Sequence, residues 1–316
     1  MFPMCEHKGI EIAVPASTAN LGPGFDSIGM ALNRFLRIRA YPAERMELEL
    51  IGPHLEGLPQ DGRNFLLQVV EGACRSVGQT APPLHIQVES DIPLMRGLGS
   101  SASAIIAGLL LANHLLGEPW DQEEILLKAT RHEGHPDNVS ASLLGGVVIG
   151  SWDGERVDVV QAPCPDWDVV AAIPAYPLPT SQARQALPPQ LPHNEAVLAS
   201  SRANLLTAAF FTGKWELLQT AMRDRFHQPY RASLIPGMER VLREAPQNGA
   251  WGAALSGAGP TVIAFARETE PLVDFMRKAF GQAGIPVNIE VLKPWPDGAT
   301  VRLTTFEKWG TFMRNI

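Results

Sequence analysis

Apolar and polar residues alternate from Leu84 to Glu89, with Leu84, Ile86 and Val88 set against His85, Gln87 and Glu89. A period of two predicts a strand. A glycine turn, Gly97-Leu98-Gly99, comes next, and then a largely apolar run from Ser103 to Leu116. The run predicts a buried helix, opened by Ser100 and Ser101 as N-cap residues and stopped by Gly117. Strand, glycine turn and helix in this order aim free backbone N–H groups and the positive end of a helix dipole at one point, a natural seat for phosphate. On pattern alone the glycines serve equally well to turn a corner. No lysine precedes Ser100, so this is not a Walker loop. Arg96 is the nearest cation, and backbone dipoles, hydroxyls and a metal ion would have to hold the anion.

The remaining pattern predicts a strand over 10–14 ended by Pro15, then a structured loop over 15–29. Within that loop Asn20 and Asp26 are bracketed by turn formers and apolar residues. Such groups are costly to bury without partners, and a ligand with amine and hydroxyl groups would supply them. Residues 35–51 read as two strands about a turn at Tyr41-Pro42. A polar turn at 61–64 leads into a helix over 65–77, with Leu66, Val69, Val70 and Ala73 on one side. A further helix starts at Asp121, where Asp121 and Glu124 have capping-box spacing. It runs into a polar turn holding Glu133, His135, Asp137 and Asn138, where Asp137 or Asn138 is expected to cap a short helix. A strand over 147–152 and a boundary segment over 153–167 close the first half.

The second half reads as a strand at 168–173, a proline-rich loop over 177–192 carrying Arg184, and helices over 195–211, 214–226 and 238–244. The second of these runs on to Arg231. Strands at 250–255 and 261–266 flank the glycine turn SGAGP, and a helix near 270–282 and a strand near 286–292 follow. That order matches a split βαβ or ferredoxin-like layer. Residues 301–316 have no assignment from pattern.

Composition bounds the class. The chain has 316 residues, 45% hydrophobic and 19% charged, enough for two domains with real cores. The longest apolar run is shorter than the ~20 residues that span a bilayer. The first nine residues have no apolar signal core. Cys5, Cys74 and Cys164 are scattered, without zinc spacing, and fit a reduced, cytoplasmic protein. Residues 1–150 hold 10 Lys+Arg against 17 Asp+Glu, while the remainder is balanced at 16 of each. There is no basic stripe for nucleic acid. An acidic half that binds polyphosphate needs a divalent cation.

PASTANLGPGFD, PLMRGLGSSASA, EGHPDNV and GAALSGAGPT, in this order, resemble the GHMP small-molecule kinases. The first and third, with DRFHQPYRASLIPG, look most like the homoserine kinase branch, over residues from about 11 to about 301. The resemblance implies an α+β, two-domain fold. A nucleotide-binding domain like the second domain of ribosomal S5 would span 1–160, and a ferredoxin-like domain 161–316, with the active site between them. It implies transfer of the ATP γ-phosphoryl group to the L-homoserine hydroxyl, with Mg²⁺, in threonine biosynthesis. Neither nucleic acid nor membrane is implied as a partner, and a homodimer is the self-association considered.

Residue by residue, the resemblance implies a nucleotide site of Asn64, of Pro93, Leu94, Met95, Arg96, Gly97, Leu98, Gly99, Ser100, Ser101, Ala102 and Ser103, and of Gly257 and Gly259 within Ser256–Pro260. Ser101 and Glu133 would hold the metal. Asn20, Asp26, His135, Asn138, Arg184 and Arg231 would bind substrate, Asp26 its ammonium and the two arginines its carboxylate. Ser101, Glu133 and Asn138 would be catalytic. Relatives with Asp at the Asn138 position have a base there; an amide cannot accept the hydroxyl proton as a base. Asn138 is therefore expected to orient the hydroxyl, with Asp137 the second choice as a base. A kinase of another alcohol, such as mevalonate or a sugar, and a non-catalytic sensor are the alternatives. The arginine pair and Asn138 argue against the first, and Glu133, Ser100 and Ser101 against the second.

Overall fold

A computed structural model gives the fold of residues 8–305. Two β-sheets organise it. The first contains β1 (Lys8–Asn20), β2 (Gly24–Pro42), β3 (Glu47–Ile51), β4 (Leu84–Ser90), β5 (Val147–Trp152), β6 (Val157–Ala162) and β11 (Thr300–Thr305). Its main path runs β11-β1-β2-β4-β3, and β5 pairs with both β2 and β6. β2 is long enough to pair twice on one edge, through Leu36–Pro42 with β4 and through Ile28–Met30 with β5. The second sheet, ordered β10-β7-β9-β8, joins β7 (Asp168–Pro174), β8 (Ala250–Leu255), β9 (Val262–Ala266) and β10 (Val287–Leu292), all antiparallel.

Helices fill the layers. α1 (Phe65–Arg75) buries Leu66, Leu67, Val69, Val70, Ala73 and Cys74. α2 (Ser100–Leu115) is buried on nearly every side, as its apolar sequence requires, and packs on α1, β1, α3 (Gln122–Glu133) and α4 (Asp137–Leu144). Of its buried polar residues, Ser103 donates to Ser100 O and Asn113 pairs both amide ends with the Trp120 backbone (2.9 and 3.0 Å). The Asp121–Glu124 capping box is formed. In the second unit come α5 (Thr180–Gln185), α6 (His193–Thr212), α7 (Leu218–Ala221), α8 (Gln228–Arg231), α9 (Met238–Glu244) and α10 (Thr269–Gln282). The period of two in β7 divides two apolar cores. Val169, Ala171 and Ile173 join the core shared with the first sheet, while Val170 and Ala172 face α9 and α10.

Several expectations are corrected. Residues 15–29 form a hairpin, not a loop: β1 runs on through Pro15 to Asn20 and turns at Leu21–Pro23 into β2. Ser100 and Ser101 are the first residues of α2, and Gly99 is its N-cap. Asp137 and Asn138 open α4 behind Pro136 instead of capping it. The 153–167 segment contains β6, which runs through residue 160. Arg184 lies on α5, which fits in the proline-free gap between Pro179 and Pro188. The helix expected over 214–226 is reduced to a 3₁₀ turn and α7. Residues 301–305 belong to β11, which pairs with β1 from Lys8↔Thr305 to Ala13↔Thr300. Cys74 and Cys164 are free, and Cys5 lies outside the described residues. Among the described residues no helix is long and apolar enough to cross a membrane.

The glycine turn after β4 and the SGAGP turn between β8 and β9 meet the end of β1. Ser256 Oγ donates to Gly97 O and shares a hydrogen bond with the Thr18 hydroxyl (2.8 Å). Gly257 N donates to Ala19 O (3.1 Å). A Cβ on Gly97, which has φ +78, would lie 2.3 Å from Ser256 O. Gly97→Ala is expected to destabilise the protein by about 2–4 kcal/mol, combining left-handed strain with overpacking. Urea unfolding checks this, and a loss below about 0.5 kcal/mol, the range of ordinary surface changes, would show the contact to be slack.

Candidate active site

The N-terminus of α2 is the centre of the site. Gly99 lies so close to β1 that a Cβ would fall 2.3 Å from Ser17 Oγ. Leu98 is buried and its carbonyl accepts from Ser17 N (3.2 Å), which pins the loop. Gly99 offers no side-chain cap, so the first-turn amides of α2 stay available to an anion. Ser101 Oγ donates to Glu133 Oε2 across a 3.3 Å gap, so the hydroxyl and carboxylate expected to hold a metal lie together. Burial raises the Glu133 carboxyl above the usual carboxylate range, and His135 draws it back only in part. Arg96 donates to Leu94 O and Ala175 O, binding the loop to the second unit.

Beside this loop a cavity of about 250 Å³ is lined by Asn20, Asp26, Glu133, His135, Asn138, Arg184, Arg231 and Gly257, among others. Asn20 and Asp26 take left-handed backbone angles of +70° and +54°, which their short polar side chains tolerate. Asn20 Nδ2 donates to Gly257 O (2.9 Å) and its Oδ1 accepts from Asp26 N (3.0 Å). Its amide therefore positions Asp26 and is already paired. Asp26 and Arg184, expected on opposite ends of a ligand, bind each other in a two-pronged pair (2.8 and 3.1 Å). Arg231 is 2% exposed and donates to Ala183 O, Gly257 O and His227 Nδ1 (3.0–3.1 Å). Burial, with the nearby Arg184 cation, pushes its guanidinium down to about 10. Phe25 lies between these cations, 5.6 Å from Arg184 and 5.5 Å from Arg231.

The polar turn before α4 supplies the third wall. His135 Nδ1 contacts Asp137 Oδ1 at 2.5 Å, and that oxygen also accepts from Asn138 N. Burial opposes the imidazolium, but Asp137, with Asp26 and Glu133 behind it, pushes His135 up to about 9. Asp26, His135 and Asp137 can bring three ligand atoms within 4.8 Å of one another. Ser101 and Glu133, the pair expected to hold a metal, lie outside this trio. Asn138 Nδ2 donates to the Ser17 carbonyl and hydroxyl (3.3 and 3.0 Å). A carbonyl only accepts, so the amide orientation is fixed and Oδ1 is left as an acceptor.

An apolar recess of about 320 Å³ adjoins the cavity and shares Met95, Ser100 and Ser101 with it. Leu36, Leu50, Leu55, Leu58, Phe65 and Val88 form much of its apolar wall. Asn64 lies at its edge, with its amide committed to Leu66 N and Pro59 O as the N-cap of α1.

The family profile for the GHMP kinases N terminal domain matches residues 64–146, and that for GHMP kinases C terminal matches 206–284. A homoserine kinase of Carboxydothermus hydrogenoformans is 43% identical over 289 residues, 91% of this chain and 95% of that one. The chain belongs to the homoserine kinase family of GHMP kinases. A second relative, from Bacillus licheniformis, is 46% identical over 80% of this chain and 83% of its own. The crystal structure of a homoserine kinase from Cytophaga hutchinsonii aligns with a TM-score of 0.82 at 27% identity, covering 96% of this chain and all of that one.

The pattern reading of this family member missed Ser17, Thr18, Phe25 and His227. Ser17 and Thr18 lie in a stretch of small residues with no periodicity, and their importance comes from what crosses β1. Phe25 was readable only through its neighbour Asp26. The Asp26–Arg184 side chains are 33% and 38% exposed. Asp26→Asn and Arg184→Gln are each expected to change unfolding free energy by no more than about 1 kcal/mol, as for partly solvated pairs. A loss of several kcal/mol in chemical unfolding would make the pair a structural clasp instead.

Proposed function

We propose that this protein transfers the γ-phosphoryl group of ATP to the side-chain hydroxyl of L-homoserine, giving O-phospho-L-homoserine for threonine biosynthesis. The observation that carries the reading is the pairing of Asp26 with Arg184 beside Arg231, in the cavity that touches the α2 N-terminus. An α-amino acid bears the same two charges as that ion pair. Its ammonium takes Asp26 and its carboxylate takes Arg184 and Arg231, so one set of charge contacts replaces another. A sugar or a simple alcohol carries no charges to exchange with that pair, so it would gain nothing to offset breaking it.

The adenine base fits the apolar recess, and the phosphates run to Gly97–Ser103. Hydroxyl and carboxylate oxygens suit a hard cation, so Ser101 and Glu133 would hold Mg²⁺. When bound, it neutralises charge on the polyphosphate. Protonated His135 adds a positive group to the same wall. Asn138 Oδ1 accepts from the substrate hydroxyl and aims its oxygen at the γ-phosphorus. The oxygen–phosphorus bond forms as the β–γ bridge breaks and ADP leaves, and the hydroxyl proton passes late to an oxygen of the transferred phosphoryl group and from there to water. A loose transition state asks little of a base, so positioning and charge carry the rate. Asp137 is already occupied by His135 and the Asn138 amide, which argues against it as the base.

A coupled assay of ADP release over a panel of small alcohols tests this. L-homoserine with Mg-ATP is expected to turn over best; no turnover would reject the assignment. EDTA is expected to abolish the rate, and Mg²⁺ to restore it. Ser101→Ala is expected to lower kcat about 100-fold or more with homoserine KM nearly constant, while Asp26→Asn raises that KM about tenfold or more. An unchanged KM in the second variant would remove Asp26 from the substrate site.

A further inference from the structure

We infer that His227 is a positioning residue that sets α-amino acid selectivity, by holding Arg231 at a fixed spacing from Asp26; this rests on the carboxylate role proposed for Arg231. The ring is fully buried. Its Nε2 lies 2.9 Å from Gly22 O, and its Nδ1 lies 3.0 Å from Arg231 Nη1. Gly22 O can only accept, so Nε2 carries the proton and bare Nδ1 accepts from Arg231. Burial lowers the basicity of the ring, which agrees with this neutral form.

The backbone beneath the ring is fixed as well. Asp224 Oδ2 accepts from His227 N (2.7 Å) and Gln228 N (2.6 Å), and Oδ1 accepts from Phe226 N (2.6 Å). One face of the imidazole stacks on Phe25, with centroids 5.1 Å apart at 21°. Gly22 and Phe25 belong to the hairpin that carries Asp26. A directional chain therefore runs from that hairpin through His227 to Arg231. The bonds to Ala183 O, Gly257 O and His227 occupy Arg231 Nε and Nη1, and leave Nη2 for a ligand. His227 is the side-chain partner among those three. Its loss frees the guanidinium to tilt, and the distance between the ammonium and carboxylate seats is no longer set.

Two substitutions divide the ring's contacts. His227→Asn keeps an acceptor at the Nδ1 position but does not reach Gly22. His227→Gln reaches Gly22 but withdraws that acceptor. Steady-state kinetics with L-homoserine are compared with those for its carboxylate-free analogue, 2-amino-1,4-butanediol. His227→Gln is expected to raise homoserine KM about tenfold with kcat within about threefold, and His227→Asn to stay near the wild-type KM. With the diol both variants are expected to match wild type within about twofold, a result that simple loss of packing would not give. Equal KM losses in both variants, or a loss on the diol equal to that on homoserine, overturns the inference. Should His227→Gln not fold, His227→Phe against His227→Asn makes the same comparison. Arg231→Ala runs alongside. If it leaves the preference for homoserine over the diol intact, the carboxylate clamp is wrong and this inference goes with it. If it erases the preference while His227→Gln does not, only the role of His227 fails.

Discussion

The structure depends on backbone meeting backbone without side chains between. At the start of α2 the loop carbonyl of Leu98 takes the Ser17 amide, and the carbonyl of Arg96 takes the Thr261 amide. Three chain segments far apart in sequence are thereby packed at main-chain distance around one helix terminus. Only residues without a Cβ fit at Gly97 and Gly99. The close approach also keeps the first-turn amides of α2 free of side-chain caps, and an unsatisfied helix end is what makes the spot attractive to phosphate.

Electrostatics then divide the cavity. Glu133, Asp137 and protonated His135 form one part of it; Arg184, paired with Asp26, and Arg231 form another. Burial works against the charge of Glu133 and Arg231 alike, raising the first and lowering the second. Both groups lean on uncharged hydrogen-bond partners. Ligand groups of opposite charge would favour the ionised forms, so deficits that cost stability in the empty protein would favour binding.

Much of this was readable in the sequence, and the misses share physical causes. α1, the capping box at Asp121 and the second sheet follow from periodicity and punctuation. The far half of β1 does not, because Ala16 to Asn20 is buried on both faces and a doubly buried strand has no alternation to detect. The stretch after Lys214 imitates a helix in composition, but Asp224 binds three successive backbone amides and turns the chain. Asn20, Asp26, Glu133, His135, Asn138, Arg184 and Arg231 line one cavity, while Asn64 and Leu94 line the adjoining recess and Leu98, Ala102 and Ser103 are buried. Their pairings were not legible, since nothing local says that Asp26 answers Arg184 or that the Asn20 and Asn64 amides are taken by main chain.

The return of β11 to the first sheet has a mechanical result. The second sheet lies wholly between β6 and β11 in the chain, so two crossings join the units, one after Ala162 and one before Thr300. A unit tied at two points, and sharing an apolar core with its neighbour, is held in register where a single tether would let it swing. Arg184 and Arg231 are thereby kept beside the hairpin, where Arg184 already meets Asp26.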